Sequence, residues 1–336
     1  MRAVLTRAHG DRSQLAYEGN YPDPKPDPTD VVIRVAASAV NYHDIFTRRG
    51  MPGIRIPLPV IVGSDIAGEI VELGAGVSDW RVGDRVLVDP VFRDGRRGGM
   101  IGEVVDGGRA EYLRVPARQL IRVPDVVSLE DAASLPLAYG TAQRMLVTRG
   151  RVSAGERVLV LGASGGVGVA CVQLAKLIGA EVIACASSRA KLDRLALLGA
   201  DHLINYAEQS FAAAVRELFG KPRTSGTGGV DVAVNFTGGD TWLDTQHSVA
   251  KGGRILTCGA TAGYSLTTDA RYLWSFEHTV IGSNGWAPQD LGTLLDLVAC
   301  GRLRPVIDKV LPLEEAAEGE RLLEDREVFG KVLLKP

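Results

Sequence analysis

Between about Glu156 and Asn284 the chain alternates short apolar stretches, "RVLVLG", "EVIACA", "HLINY", "VDVAVNFTG", "GRILTCG" and "TVIGS", with segments of helical periodicity. No other feature narrows the possible folds so far. Strands that are apolar on both faces need cover on both sides, and helices between consecutive strands supply it. The pattern therefore predicts an α/β domain built on a doubly wound parallel sheet. The uncharged run from Val158 to Ala175 matches a membrane span in length. Its glycine cluster, and the change from strand-forming to helix-forming residues midway, predict a buried strand, turn and helix instead.

The rest of the chain has a different texture. Up to Val123 it is rich in β-branched runs and Gly-Asp turns, as in "VVIRVAASAV" and "GSDIAGEIVELGAGVSDWRVGDRVLV". That reads as a small, irregular β-rich domain. "YPDPKPDPTD" is an extended connector. The tail "VIDKVLPLEEAAEGERLLEDREVFGKVLLKP" reads strand, helix, strand and returns to the first domain. The 336 residues thus divide into a first domain of 1–123 completed by 287–336, and a second of 124–286. A formal net charge of −2 with no basic run points away from nucleic-acid and membrane partners and toward a small molecule. Cys171, Cys185, Cys258 and Cys300 stand singly, which fits a reducing compartment and neither a disulfide framework nor a structural zinc lobe. The start lacks the apolar core of a signal peptide, so a cytoplasmic location is expected.

Behind the strand "RVLVLG", Ala163, Gly165 and Gly168 take the three positions of the G-x-G-x-x-G fingerprint, with alanine in place of the first glycine. Small residues there permit a tight turn, let the backbone approach a pyrophosphate, and let helix and strand pack closely. Ala163, Ser164, Gly165, Gly166, Val167 and Gly168 are the candidate phosphate cradle, at a helix N-terminus that favours negative charge. About twenty residues on, where an acid would hold the ribose hydroxyls of NAD, the chain offers Ser187, Ser188, Arg189 and Lys191, and no acid between Glu181 and Asp193. A carboxylate there repels a 2′-phosphate by about 1 to 4 kcal/mol per charge pair, depending on the local dielectric. The segment therefore selects NADP(H). The other reading of Arg189 and Lys191 is the solvated first turn of the next helix.

"GERVLVLGASGGVGVACVQLAK" resembles the nucleotide-binding signature of the zinc-independent quinone oxidoreductase, or zeta-crystallin-like, branch of the medium-chain dehydrogenase/reductase superfamily. The likeness extends through "GSDIAGEIVELGAGVSDWRVGDRV", "GGRAEYLRVP" and "EDREVFGKVLL". It implies a GroES-like catalytic domain and a Rossmann domain. Zinc-dependent members bind catalytic zinc through a cysteine, a histidine and a later cysteine or histidine. The matching positions here are Asn41, Ser64 and, by a looser alignment, Leu137, and the cysteine-rich lobe is replaced by a glycine-rich loop near Arg96. Asp44, Asp65 and His43 remain as metal-capable side chains, but without a thiolate or a second histidine they make no zinc set.

Without a Lewis acid, reduction of plain aldehydes is disfavoured, whereas a quinone or an α,β-unsaturated carbonyl spreads the incoming negative charge by conjugation. The resemblance implies NADPH-dependent hydride transfer to such an electrophile, with no zinc. It also implies roles for single residues. Asn41 orients the nicotinamide or donates to the substrate oxygen. Tyr42 is the preferred proton donor, with His43 beside it, the alternatives being pocket lining and an internally bonded histidine. Thr141 lies near the cofactor phosphates at a helix start, and Tyr206 near the 2′-phosphate end. Asn235, Gly259, Ser283 and Lys331 face the cofactor from strand ends or closing segments. A homodimer paired through "TVIGS" is expected. A metal-free alcohol dehydrogenase, an enoyl reductase and a non-catalytic NADPH-binding module stay open.

Overall fold

The computed structural model describes residues 1–51, 53–93 and 98–336. The loop expected near Arg96 lies outside the described residues. The chain divides into two compact units, residues 1–138 with 291–336, and residues 139–290.

In the first unit the strands are β1 (Ala3–Thr6), β2 (Leu15–Glu18), β3 (Asp30–Val40), β4 (Val60–Ile61), β5 (Asp65–Leu73), β6 (Arg85–Val88), β7 (Tyr112–Pro116) and β8 (Leu120–Arg122). Its first helices are α1 (Tyr42–Arg49) and α2 (Leu129–Ala133). The second unit holds β9 (Arg157–Val160), β10 (Glu181–Ala186), β11 (His202–Asn205), β12 (Val230–Val234), β13 (Val249–Thr257) and β14 (Thr279–Gly282). Its helices are α3 (Thr141–Gln143), α4 (Gly166–Ile178), α5 (Arg189–Leu197), α6 (Phe211–Phe219), α7 (Thr241–Ser248) and α8 (Ala270–Ser275). After α9 (Pro288–Ala299) the chain adds β15 (Ile307–Pro312), α10 (Ala316–Glu324) and β16 (Lys331–Lys335) to the first unit.

The first unit is a seven-stranded sheet of order β15-β16-β3-β5-β6-β8, with β7 also paired to β3, beside a three-stranded sheet β2-β1-β4. The eleven-residue β3 organises it, because Val31, Ile33 and Val35 alternate onto one face and pack with Ile66, Ile70, Val86, Val88, Leu113 and Val115. The returning tail adds β16 antiparallel to β3, with Leu333 opposite Ala39. The observed division falls after Ala138 where the sequence suggested Val123. The reason is α2, which sits against β3, β5 and β6 and so belongs to the first unit.

The second unit is a six-stranded, wholly parallel sheet of order β11-β10-β9-β12-β13-β14. Strand order runs outward one way from β9 and then the other way from β12, so the topology reverses between them. Ligands of such sheets bind outside the strand carboxyl ends at that reversal. Leu159, Ile183, Ile204, Ala233 and Ile255 of five adjacent strands meet Phe211 and Val215 of α6 and Trp242 of α7 in one buried cluster.

Candidate active site

In the second unit four of the six strands are followed directly by a residue singled out from sequence, and the other two by such residues within three positions. Ser187 follows β10, Tyr206 follows β11, Asn235 follows β12, Ser283 follows β14, and the cradle follows β9; beyond β13, Gly259 comes after Cys258. The sheet thus brings these residues to one edge. Tyr206 N–H donates to the Ala186 carbonyl at 3.1 Å, which ties the ends of β10 and β11 together.

The glycines of the turn serve two different purposes. A Cβ on Gly168 would lie 2.3 Å from the Gly162 carbonyl oxygen and 2.6 Å from Ala163 Cα, so helix and strand could not pack as they do. A Cβ on Gly165 would meet nothing nearer than that same oxygen at 3.6 Å. Gly165, at φ −78°, needs glycine neither for backbone nor for internal packing. What its hydrogen leaves is open space over the N-terminus of α4, where no side chain caps the first turn. A dinucleotide pyrophosphate fits that cradle.

Ser188 is the N-cap of α5, accepting the Lys191 N–H at 3.4 Å, and Arg189 pairs with Asp193 one turn on at 2.9 Å while its side chain stays 82% exposed. The first acid after Glu181 is therefore already neutralised by a basic residue of the same helix.

Three expectations are corrected by the geometry. Thr141 is not at a helix start: it lies inside a continuous helical run in which π turns, Leu135–Gly140 and Arg144–Arg149, flank α3, and the Gly140 before it is already α-helical. Asn235 does not present its amide to a ligand. It is fully buried, its Nδ2 donates to Thr241 Oγ1 and Thr245 Oγ1 at 3.1 and 2.8 Å, and its Oδ1 accepts the Thr237 and Gly238 N–H groups, both at 3.0 Å. Lys331, expected to face the cofactor, turns its ammonium onto protein groups of its own unit. It is 2% exposed, and its Nζ donates to Asn41 Oδ1 at 2.5 Å and to Asp65 Oδ2 at 3.0 Å.

That ammonium is the centre of the candidate catalytic site in the first unit. Asp65 Oδ1 accepts the Leu137 N–H at 2.8 Å, so Asn41, Asp65 and Leu137 converge, and the buried Ser64 Oγ beside them has no hydrogen-bond partner. The positions matching zinc ligands thus gather an amide, a hydroxyl and an aliphatic residue around a lysine. Asn41 is held as a donor: Oδ1 is taken by Lys331, and Nδ2 donates to the Ala39 carbonyl at 3.3 Å with its second hydrogen to spare. The backbone N–H of Asn41 donates to Asp44 Oδ2 at 2.9 Å, which fixes the first turn of α1.

Behind α1 lies a chain of buried charges. Arg109 bonds Asp44 at 3.1 Å and Glu320 at 2.5 Å, and Arg48 bonds Glu320 at 2.6 Å and Glu324 at 2.8 Å, with Asp44, Arg48, Arg109 and Glu320 all at most 1% exposed. Burial pushes the Asp44 carboxyl above the usual carboxylate range, against the pull of Arg109 and of the Asn41 N–H. Tyr42 is half-buried with its ring tilted against Phe46, and the buried His43 Nε2 has no hydrogen-bond partner.

Asp44, Asp65 and His43 do not come together as a metal set, since Asp65 is paired with Lys331 and Asp44 with Arg109. Among the described residues no three His, Cys, Asp or Glu side chains gather closely enough to hold a metal ion. None of the four cysteines is in a disulfide, and burial pushes the thiols of Cys171 and Cys185 up and that of Cys258 up to about 12.

A glycine cradle on a six-stranded parallel sheet, and a polar centre in a β-rich unit closed by the last strand, define a two-domain nucleotide-dependent class. The description "Alcohol dehydrogenase GroES-like domain" matches residues 27–125, and "Zinc-binding dehydrogenase" matches residues 166–300. The chain is 31% identical to the acryloyl-coenzyme A reductase of Metallosphaera sedula over 99% of both chains. A crystal structure of an NAD-dependent alcohol dehydrogenase shares 38% identity over the whole of both chains with a TM-score of 0.93. The 2-octenoyl-CoA carboxylase reductase CinF, solved with NADP and 2-octenoyl-CoA, shares 30% identity over 99% of this chain and 87% of its own, with a TM-score of 0.87. The chain belongs to the medium-chain dehydrogenase/reductase superfamily and is an oxidoreductase.

Proposed function

We propose that the protein is a zinc-independent, NADPH-dependent reductase of α,β-unsaturated carbonyl compounds, including enoyl thioesters, with quinones as acceptors of the same hydride. The observation that carries this reading is the Lys331 ammonium on the Oδ1 of Asn41, a residue that stands at a position matching a zinc ligand of zinc-dependent relatives. Zinc wants thiolate, imidazole or carboxylate. Here the one carboxylate at the centre, Asp65, is already neutralised by Lys331. The relatives' named substrates, acryloyl-CoA and 2-octenoyl-CoA, are unsaturated thioesters.

NADPH would be held by Ala163 to Gly168 and by Ser187, Arg189 and Lys191, and when bound it supplies the hydride to the β-carbon. The chain's own part is electrostatic. The spare N–H of Asn41 donates to the carbonyl oxygen as negative charge develops there. Lys331, by bonding the amide oxygen, strengthens that donor. The absence of an acid after β10 supports NADPH. A homodimer through β14 is part of the proposal, supported by this exposed edge strand and by Val280, 45% exposed, and Trp274, 66% exposed. A cytoplasmic setting is supported by the unpaired cysteines, and no helix among the described residues is long and apolar enough to cross a membrane.

The deciding experiment follows absorbance of NADPH and of NADH, with chelator present, against crotonyl-CoA, a cyclic enone, a quinone and an aldehyde. Fast NADPH loss with the first three and none with the aldehyde is expected. Turnover that vanishes with chelator and returns with zinc overturns the reading. NADPH binding without turnover on any acceptor moves the assignment to a binding module.

A further inference from the structure

We propose that His43 delivers the proton to the α-carbon of the reduced alkene, and that Glu103 is the positioning residue behind it. The inference rests on the reductase reading above. Alkene reduction adds a hydride at one carbon and a proton at the next. When the hydride reaches the β-carbon, the C=C electron pair moves through the α-carbon to the carbonyl oxygen. The resulting enolate then closes back, taking a proton at the α-carbon. That proton goes onto carbon, so a positioned acid is needed rather than passing water.

The sequence favoured Tyr42 for this step, yet its ring is held against Phe46, centroids 5.7 Å apart, and among the described residues no hydrogen bond aims its hydroxyl. His43 is different. Its Nε2 is buried, has no hydrogen-bond partner, and faces Glu103 Oε2 at 4.0 Å. The Glu103 side chain is 4% exposed, and its Oε2 is fixed by the Met100 N–H at 2.9 Å. Among the described residues no other cation lies within ion-pair distance of it. The other charge near the imidazole is Asp44, next to it on α1, and that carboxylate is taken by Arg109.

A carboxylate behind one ring nitrogen orients the ring and leaves the other nitrogen to deliver the proton, the arrangement of base and orienting acid in nucleophile triads. The His43 side chain is 25% exposed, and since Nε2 is buried that exposure lies on the rest of the side chain. Nδ1–H gives its proton to the α-carbon, the imidazole is left neutral, and water at the exposed edge restores the proton. The substrate gains two electrons from the cofactor and one proton from His43.

Quinone reduction supplies an internal control, because its protons go onto oxygens that exchange with water unaided. In Glu103→Gln and His43→Gln, turnover with a cyclic enone is expected to fall at least tenfold further than turnover with a quinone. The second readout needs neither turnover nor cofactor. There are five histidines, and the imidazole ¹⁵N resonances of the apo protein report tautomer and hydrogen bonding. The Nε2 resonance of His43 is expected to move in Glu103→Gln and to stay in place in the surface variant Glu217→Gln. Equal losses with both acceptors, or no loss with either, overturn the proposal. A wild-type protein that turns over neither acceptor defeats the reductase reading and this role with it, while a moved resonance would still establish the pair.

Discussion

The cradle after β9 and the centre around Lys331 solve the same problem, a polar ligand held by protein, in opposite ways. The cradle uses backbone and empty space: Gly168 because no atom fits there, Gly165 because none should. The centre uses charge taken out of water, with Lys331, Asp65 and Asn41 interlocked and nearly inaccessible. A backbone site costs little to keep open but tolerates no side chain. A buried-charge site tolerates shape changes, yet each member depends on the others, because an orphaned buried charge is expensive.

The sharpest test of that contrast removes one charge. Lys331→Met strands Asp65 and should lower stability by about 3 to 5 kcal/mol, read by denaturant unfolding. The pair Lys331→Met with Asp65→Asn should recover most of it while enone turnover stays low, because Asn41 has lost its polarising partner. Recovery of turnover along with stability would reduce Lys331 to a packing role.

The two glycines come next. Gly168→Ala should unfold or expand the turn, seen as a loss of melting temperature. Gly165→Ala should leave the melting temperature in place and raise the NADPH dissociation constant by about tenfold to a hundredfold, roughly 1.4 to 2.8 kcal/mol. If both variants melt alike and bind alike, the division of labour between them is wrong. The smallest effect is on cofactor choice. Arg189→Glu with Lys191→Glu should raise the NADPH Michaelis constant at least tenfold, about 1.4 kcal/mol, and spare NADH. An unchanged constant would leave Asp193 as the whole purpose of Arg189.

The same contrast explains what could be read in advance. The cradle is local, so strand, turn and helix lie in one stretch from Arg157 to Ile178, and the strands and the parallel class of the sheet followed from the alternation of apolar runs. The centre is not local. Lys331 lies 290 residues from Asn41 and 266 from Asp65 in the chain. The available signal was a lysine between "VFG" and "VLL" in an otherwise apolar strand, which ought to imply a buried partner. Arg109 in "GGRAEY" gave a similar hint, a guanidinium among glycines at the entry to a strand. Asn235 misled because a strand-end position says where a residue sits, not which way its amide faces. Thr141 misled because the resemblance implied a helix start where π turns here keep one helical run going.

Strand β16 carries a consequence for how the molecule is made. Residues 139–290 are synthesised and form their own unit before Lys331 exists. Until then Asn41 has no cation to bond, Asp65 lacks its counter-charge, and β3 lacks the neighbour that β16 supplies along one edge. A chain broken off between residues 290 and 331 would carry every residue of the nucleotide cradle but not the lysine that Asn41 and Asp65 bond. The last strand thus ties Asn41 and Asp65 to a side chain made hundreds of residues later, and the polar centre is complete only when Lys331 is present.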